Sequence, residues 1–211
     1  MTINAAAIID SATGSLLDRT GRTWSPADKL GYLNEALRTT AFVKPDMYVV
    51  QLEYTLAVGE KQALPADGVA TIDVSRNTGG RVITEVDKDL LAEASRFWPA
   101  GTKEKVVEHF TTDPKNPRRF VVFPPNDGTG IVDLIYGATP PEVMYATEDI
   151  DIPAAYQTPL VNFVLSKCFS KNTKRQDLVK ADAFMKQWAQ LLGLKSTAQI
   201  AIAPRVSTSG A

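Results

Sequence analysis

The chain has 211 residues, 44% of them apolar and 22% charged, with a formal net charge of −1 at neutral pH. That length suffices for one sizeable core or two small ones, and the composition is that of an ordinary globular chain. One cysteine excludes an internal disulfide, and with one histidine it cannot build an ordinary zinc site. No apolar run approaches the ~20 residues of a membrane helix. The N-terminus lacks the basic-then-apolar plan of a secretory leader, so synthesis in a cytosol is expected. Charge is uneven along the chain. Residues 1–39 carry four basic and four acidic groups, residues 40–151 eleven against eighteen, and residues 152–211 eight against two. A basic C-terminal third suits an acidic partner or nucleic acid, although solvated helix faces are often basic too.

In chain order, "INAAAIIDSATGSLLD" places Ile9, Ala12 and Leu16 at helical spacing, interrupted by Gly14. "WSPADKLGYLNEALRTT" predicts a second helix, with Ser25 as cap, Pro26 at the first position and Asp28 three residues after the cap. Its stripe is Leu30, Leu33 and Leu37, and Lys29, Asn34, Glu35 and Arg38 are expected to face elsewhere. After Pro45 the period becomes two. "YVVQLEYTLAV", "VATIDVSRN", "RVITEVD", "KVVEHFTT", "RRFVVFPP" and "IVDLIYGATPP" predict six strands, with "KDLLAEASRFW" as a short helix among them. Pro124, Pro125, Pro140 and Pro141 are expected to mark strand ends. Such strands suggest an antiparallel sandwich or barrel.

The helical period returns in "IPAAYQTPLVNFVLSKCFS", with Thr158 as a possible cap and Pro159 in the first turn. Apolar residues lie almost all round this helix, as in a central one. "RQDLVKADAFMKQWAQLLG" is amphipathic and stops at Gly193. The fold class expected is α+β: a discontinuous four-helix bundle with an inserted antiparallel β-sandwich or barrel and a C-terminal extension. The expected boundaries are residues 1–43 and 152–193 for the helical domain, 44–151 for the β domain and 194–211 for the arm.

Chemistry is scarce. Cys168 lies in the most apolar helix and His109 in a strand, so a nucleophilic pair is disfavoured against simple packing. The acidic run Glu148–Asp151 reads as a solvated linker, and "NDGTG" as turn chemistry without the Lys-Ser/Thr of a phosphate loop. Trp24, Trp98 and Trp188 suit core or interface use. Arg118 and Arg119 suit an exposed strand edge. No catalytic, metal or cofactor site is expected.

The landmarks together carry a resemblance. "DRTGRTWSPADKLGYLNEALRTTAFVKPD" has an arginine near a tryptophan, a polar cap, Leu33-Asn34-Glu35-Ala36, Arg38 and Pro45-Asp46. "GEKQALPADGVATIDVSRNTGG" adds Gln62, Leu64-Pro65 and Arg76-Asn77; "FVVFPP", "IYGATPP" and the two last helices complete the pattern. Over residues from about 5 to 193 this resembles the phage head-to-tail adaptor (connector) family, similar to the tail tubular proteins beneath the portal of tailed double-stranded DNA phages. Pro159 departs from the good helix former expected there.

The resemblance implies a structural virion protein in the tail or neck, made in the bacterial host cytoplasm and without enzymatic activity. It implies a homo-oligomeric ring, dodecameric in such families, between the portal protein and a tail nozzle or tail tube protein. Double-stranded DNA would pass through without sequence-specific binding, and no membrane is involved. Lys171, Lys174, Arg175, Lys180 and Lys186 are candidates to face the lumen or the portal. Leu194, Ile200, Ile202, Pro204 and Arg205 are candidates for a portal-docking arm. The alternatives are a stopper or tail-completion ring and, from another class, a β-sandwich binding module.

Overall fold

A computed structural model describes residues 2–87, 89 and 102–194. In chain order the elements are β1 (Ile3–Asn4), α1 (Ala5–Leu16), α2 (Pro26–Val43), β2 (Val49–Thr55), β3 (Gly59–Ala63), β4 (Gly68–Asn77) and β5 (Thr84–Glu85). They continue with β6 (His109–Thr112), β7 (Arg119–Asn126), β8 (Ile131–Ala138), β9 (Asp149–Ile150), α3 (Gln157–Ser170) and α4 (Leu178–Leu191). The chain is thus mixed α+β, with four α-helices and several antiparallel sheets among the described residues. It divides into two compact units. One joins the residues up to Ala36 with those from Glu142 onward, and the other is Leu37–Pro141. The division falls inside α2.

The unit made from the two chain ends is organised by capping and by the central position of α3. Asn4 caps α1 by accepting the Ala6 N–H at 2.9 Å, and β1 pairs antiparallel with β9, Ile3 opposite Ile150. Helix α2 begins with the expected box: Ser25 Oγ accepts the Asp28 N–H, and Asp28 Oδ2 accepts the Ser25 N–H at 2.9 Å. Helix α3 packs on both α1 and α4 and buries Leu160, Phe163, Val164, Leu165 and Cys168. Helix α4 is capped by Asp177 and closed by Gly193 in the left-handed region, φ 68°. There the Leu194 N–H donates to the Ala189 carbonyl and the Gly193 N–H to the Gln190 carbonyl, the Schellman pattern.

Three helix expectations change. Lys29 and Asn34 are buried, because each finds a distant polar partner: Lys29 Nζ donates to Thr13 Oγ1 at 2.7 Å, and Asn34 exchanges two 2.9 Å bonds with the Val143 backbone. Thr158 is not a cap. A 3₁₀ turn at Ala154–Tyr156 runs straight into α3, so the helix starts at Gln157 with Pro159 inside its first turn.

The other unit holds two sheets, with strand orders β2-β8-β4 and β3-β7-β6-β5. Their apolar faces share one cluster: Val74, Val132, Leu134 and Tyr136 from the first, Phe110, Phe120 and Val122 from the second. The barrel expectation is corrected: the two sheets keep separate strand orders, and no barrel closes among the described residues. "RVITEVD" shrinks to β5, because the segment changes sheets. Val82 still bridges to Arg76, whereas Thr84 and Glu85 pair parallel with β6. Strand β7 runs through Pro124 and Pro125 to Asn126; the register shift against β3 leaves both prolines outside the paired positions, where a missing N–H costs nothing. The helix expected in "KDLLAEASRFW" lies outside the described residues, apart from Asp89.

Candidate functional site

Cys168 and His109 belong to different units. Cys168 is fully buried on α3, and burial pushes its thiol up to about 12, so it keeps its proton at neutral pH. Its backbone carbonyl accepts the indole N–H of Trp24 at 2.6 Å. His109 lies on β6 in the other unit, with a buried Nδ1 that has no hydrogen-bond partner. Beside it is a cavity of about 190 Å³, lined by Arg81, Val82, Thr84, Val106 and Glu108 among others.

The five basic candidates separate by what they touch. Lys171 follows α3 and donates to Asp28 at 2.7 Å; this bond raises the lysine's pKa and lowers that of the carboxyl. Arg175 donates to the Leu16 carbonyl at 2.8 Å, where α1 ends, and its guanidinium lies 5.0 Å from the Trp24 ring centroid. Lys180 pairs with Asp177 at 3.2 Å and Lys186 with Asp182 at 2.6 Å, both along α4. Lys174 is exposed and makes no ion pair among the described residues. Of the arm candidates, Leu194 closes α4 as described, and Ile200, Ile202, Pro204 and Arg205 lie outside the described residues.

Around Arg175 the segment from Leu17 to Ser25 is folded over one carboxylate. Asp18 accepts the N–H groups of Arg22, Thr23 and Trp24 at 3.1, 2.9 and 3.0 Å. The Trp24 bond is the chief cause holding its carboxyl below the usual range. This end therefore gathers Arg19, Arg22, Lys171, Lys174 and Arg175. Arg19 and Arg22 are exposed, and sequence reading passed over them as binding candidates although "DRTGRTW" spells out the arrangement.

The acidic run is more than a linker. Asp149 and Ile150 form β9, Glu148 Oε1 accepts the Tyr145 N–H at 3.0 Å, and Asp149 Oδ1 accepts from Asn4 Nδ2 at 3.0 Å. It thus sits at the N-terminal end of α1, where negative charge meets the positive end of the helix dipole. In "NDGTG", Asp127 accepts the Thr129 hydroxyl and N–H, both at 2.8 Å, which is turn chemistry. Trp24 and Trp188 are buried, and Trp188 meets Phe163 edge-on at 5.5 Å; Trp98 lies outside the described residues. Arg118 Nη2 donates to the Ala66 carbonyl at 3.2 Å.

The arrangement offers surfaces and bracing. A family model described as SU10 adaptor protein matches residues 3–208. The chain belongs to the SU10 adaptor protein family. No curated protein matches it. As a phage adaptor it is a structural component of the virion that associates with other phage head and tail proteins, and its family is one of structural proteins. The positions that carried the resemblance turn out to brace this adaptor. Asn34 holds the Val143 backbone, Glu35 pairs with Lys167 at 2.5 Å, and Pro45 fills the space against Gly137. Gln62 and Asn77 hold loops through their amides.

Proposed function

We propose that the chain forms an oligomeric ring, dodecameric as in similar adaptors, between the portal and the tail, and that the ring lines the channel through which DNA leaves the head. The observation that carries this reading is the family match over residues 3–208. In this reading the two chain ends make one domain, a four-helix bundle. The inserted residues make a second, a two-sheet sandwich, and residues 194–211 form an arm that docks on the portal. Ring-forming contacts are heterologous, and a discontinuous helical body leaves faces for them.

Of the basic candidates, Lys180 and Lys186, exposed and paired only with Asp177 and Asp182 of their own helical segment, are assigned to the lumen or to an acidic portal surface, and the unpaired Lys174 is assigned to the contact between copies. Lys171 and Arg175 are engaged by Asp28 and by the end of α1, so reversing their charge would test folding instead. A conduit should not grip its cargo, since many phosphate contacts make binding strong and salt-dependent. Electron microscopy of purified particles carrying a label on this chain tests the reading. A labelled ring directly beneath the portal is the expected result. A label on the tail tube, away from the portal, would instead assign the chain to a stopper or tail-completion ring.

A further inference from the structure

The unit made from the chain ends carries opposite charges at its two ends, about 18 Å apart along the twelve residues of α1. At the C-terminal end of α1 lie Arg19, Arg22 and Lys174, all exposed and without an ion pair among the described residues. The acidic groups at that end are already engaged. Asp18 is held by three backbone N–H groups, Asp28 by Lys171 and Asp177 by Lys180. At the N-terminal end lie Asp149 on β9 and Asp151 just after it, and Glu142 precedes Val143, which Asn34 of α2 holds; all three are exposed and likewise without an ion pair among the described residues. The link from each cluster to α1 is direct. The Ala5 N–H donates to the Glu148 carbonyl at 2.9 Å at one end, and Arg175 donates to the Leu16 carbonyl at the other.

Each end also exposes apolar side chains. Leu17 is 83% and Val179 82% exposed at the basic end, and Tyr145 is 70% and Met144 64% exposed at the acidic end. Isolated exposed hydrophobes need no explanation. Apolar residues set among unpaired charges of one sign at one end, with a counterpart of the other sign at the other end, have the make-up of two complementary interface halves.

We propose that the acidic end of one copy, Glu142, Asp149 and Asp151 with Met144 and Tyr145, seats on the basic end of the next, Arg19, Arg22 and Lys174 with Leu17 and Val179. The contact is heterologous: each copy offers one half and receives the other, so the chain of contacts closes into a ring when the rotation per step permits. This rests on the ring reading above and says which surface joins the subunits. The charges set register and steer encounter, while the apolar side chains supply the area that holds.

Charge reversal tests it. Arg19→Glu, Arg22→Glu and Lys174→Glu make one variant, and Glu142→Lys with Asp151→Lys make the other. None of these five side chains makes a hydrogen bond or ion pair among the described residues, whereas Asp149 accepts from Asn4 and is left alone. Far-ultraviolet circular dichroism checks that both variants are folded. Assembly of the purified chain, alone and on purified portal-bearing heads, is followed by sedimentation and electron microscopy. Wild-type association is expected to weaken from about 0.05 to about 0.5 M salt. Each variant alone should associate at least about tenfold more weakly, and an equal mixture of the two should recover assembly, since one copy is then acidic at both ends and the other basic at both. Rings that include either variant as readily as wild type, or a mixture that recovers nothing, would overturn the contact and leave the ring standing. Loss of DNA binding with unchanged assembly would assign the basic end to DNA and also overturn it. No wild-type ring in solution or on heads would overturn the ring reading itself.

Discussion

Trp24 shows how one side chain ties the two ends of the chain together. It is fully buried, gives its indole N–H to the Cys168 carbonyl, meets Phe169 edge-on at 5.9 Å and carries Arg175 on its face. Trp24→Phe removes the donor and part of the buried ring system, and it is expected to cost about 2–4 kcal/mol in urea unfolding. A change within about 0.3 kcal/mol would show that the bond adds nothing. The Asp28–Lys171 pair makes a prediction in pH. Asp28 is lowered, so its contribution is present above the ordinary carboxylate range and is lost as pH falls through its folded value. Lys171 is raised, so its contribution is present below the ordinary lysine range and lost as pH rises through its folded value. The stability gap between wild type and Lys171→Met should therefore be level from about pH 5 to about pH 9 and close in acid. A gap that persists to about pH 2 would mean that its source is not the ion pair with the Asp28 carboxylate. Cys168 was legible from sequence as packing because an apolar helix lowers thiol reactivity by itself; Arg19 and Arg22 were not, because an exposed charge acquires meaning only from its neighbours.

At the scale of elements, periodicity carried most of what could be read. Helices α1, α2 and α4 announced themselves through spacing and caps, and β2, β4, β7 and β8 through alternation. What escaped were elements whose reason is non-local. Strand β3, "GEKQA", has no apolar alternation and exists because β7 offers it an edge; β1 and β9 are two-residue ladders between segments far apart in sequence. The same holds for the buried amides. Asn77 donates to the Val107 carbonyl at 2.7 Å and accepts the Val107 N–H at 2.9 Å, replacing a rung that no strand supplies. Asn126 likewise donates to the Glu104 and Lys105 carbonyls and accepts from Gly128 and Gly130. Removing such an amide leaves buried backbone groups unmatched, so Asn77→Ala is expected to lose about 1–3 kcal/mol by thermal or urea unfolding. Asn77→Asp, which keeps an acceptor but loses the donor, should lose a comparable amount; an alanine variant as stable as wild type would remove the bracing role. Several positions that carried the resemblance are such scattered braces in this chain, Asn34, Gln62 and Asn77 among them.

For the whole molecule, the question is where folding ends and assembly begins. The Schellman closure at Gly193 and Leu194 satisfies the Ala189 and Gln190 carbonyls of α4 from within, so the end of this helix is capped by its own chain. The residues after Leu194 include Ile200, Ile202, Pro204 and Arg205, apolar and basic groups without a sustained period, proposed above as the arm that docks on the portal. Folding and docking are then separable in one variant. A chain ending at Leu194 should match the full chain within about 0.5 kcal/mol by urea unfolding. The same chain should fail to join portal-bearing heads, or join them with at least about tenfold lower affinity. A truncated chain that unfolds would make the last residues part of the fold, and one that joins heads as the full chain does would move the docking surface into the folded body. Because the charged ends of the helical unit remain intact in this truncation, copy-to-copy association should persist while attachment to the portal is lost, which separates the two kinds of contact in a single measurement.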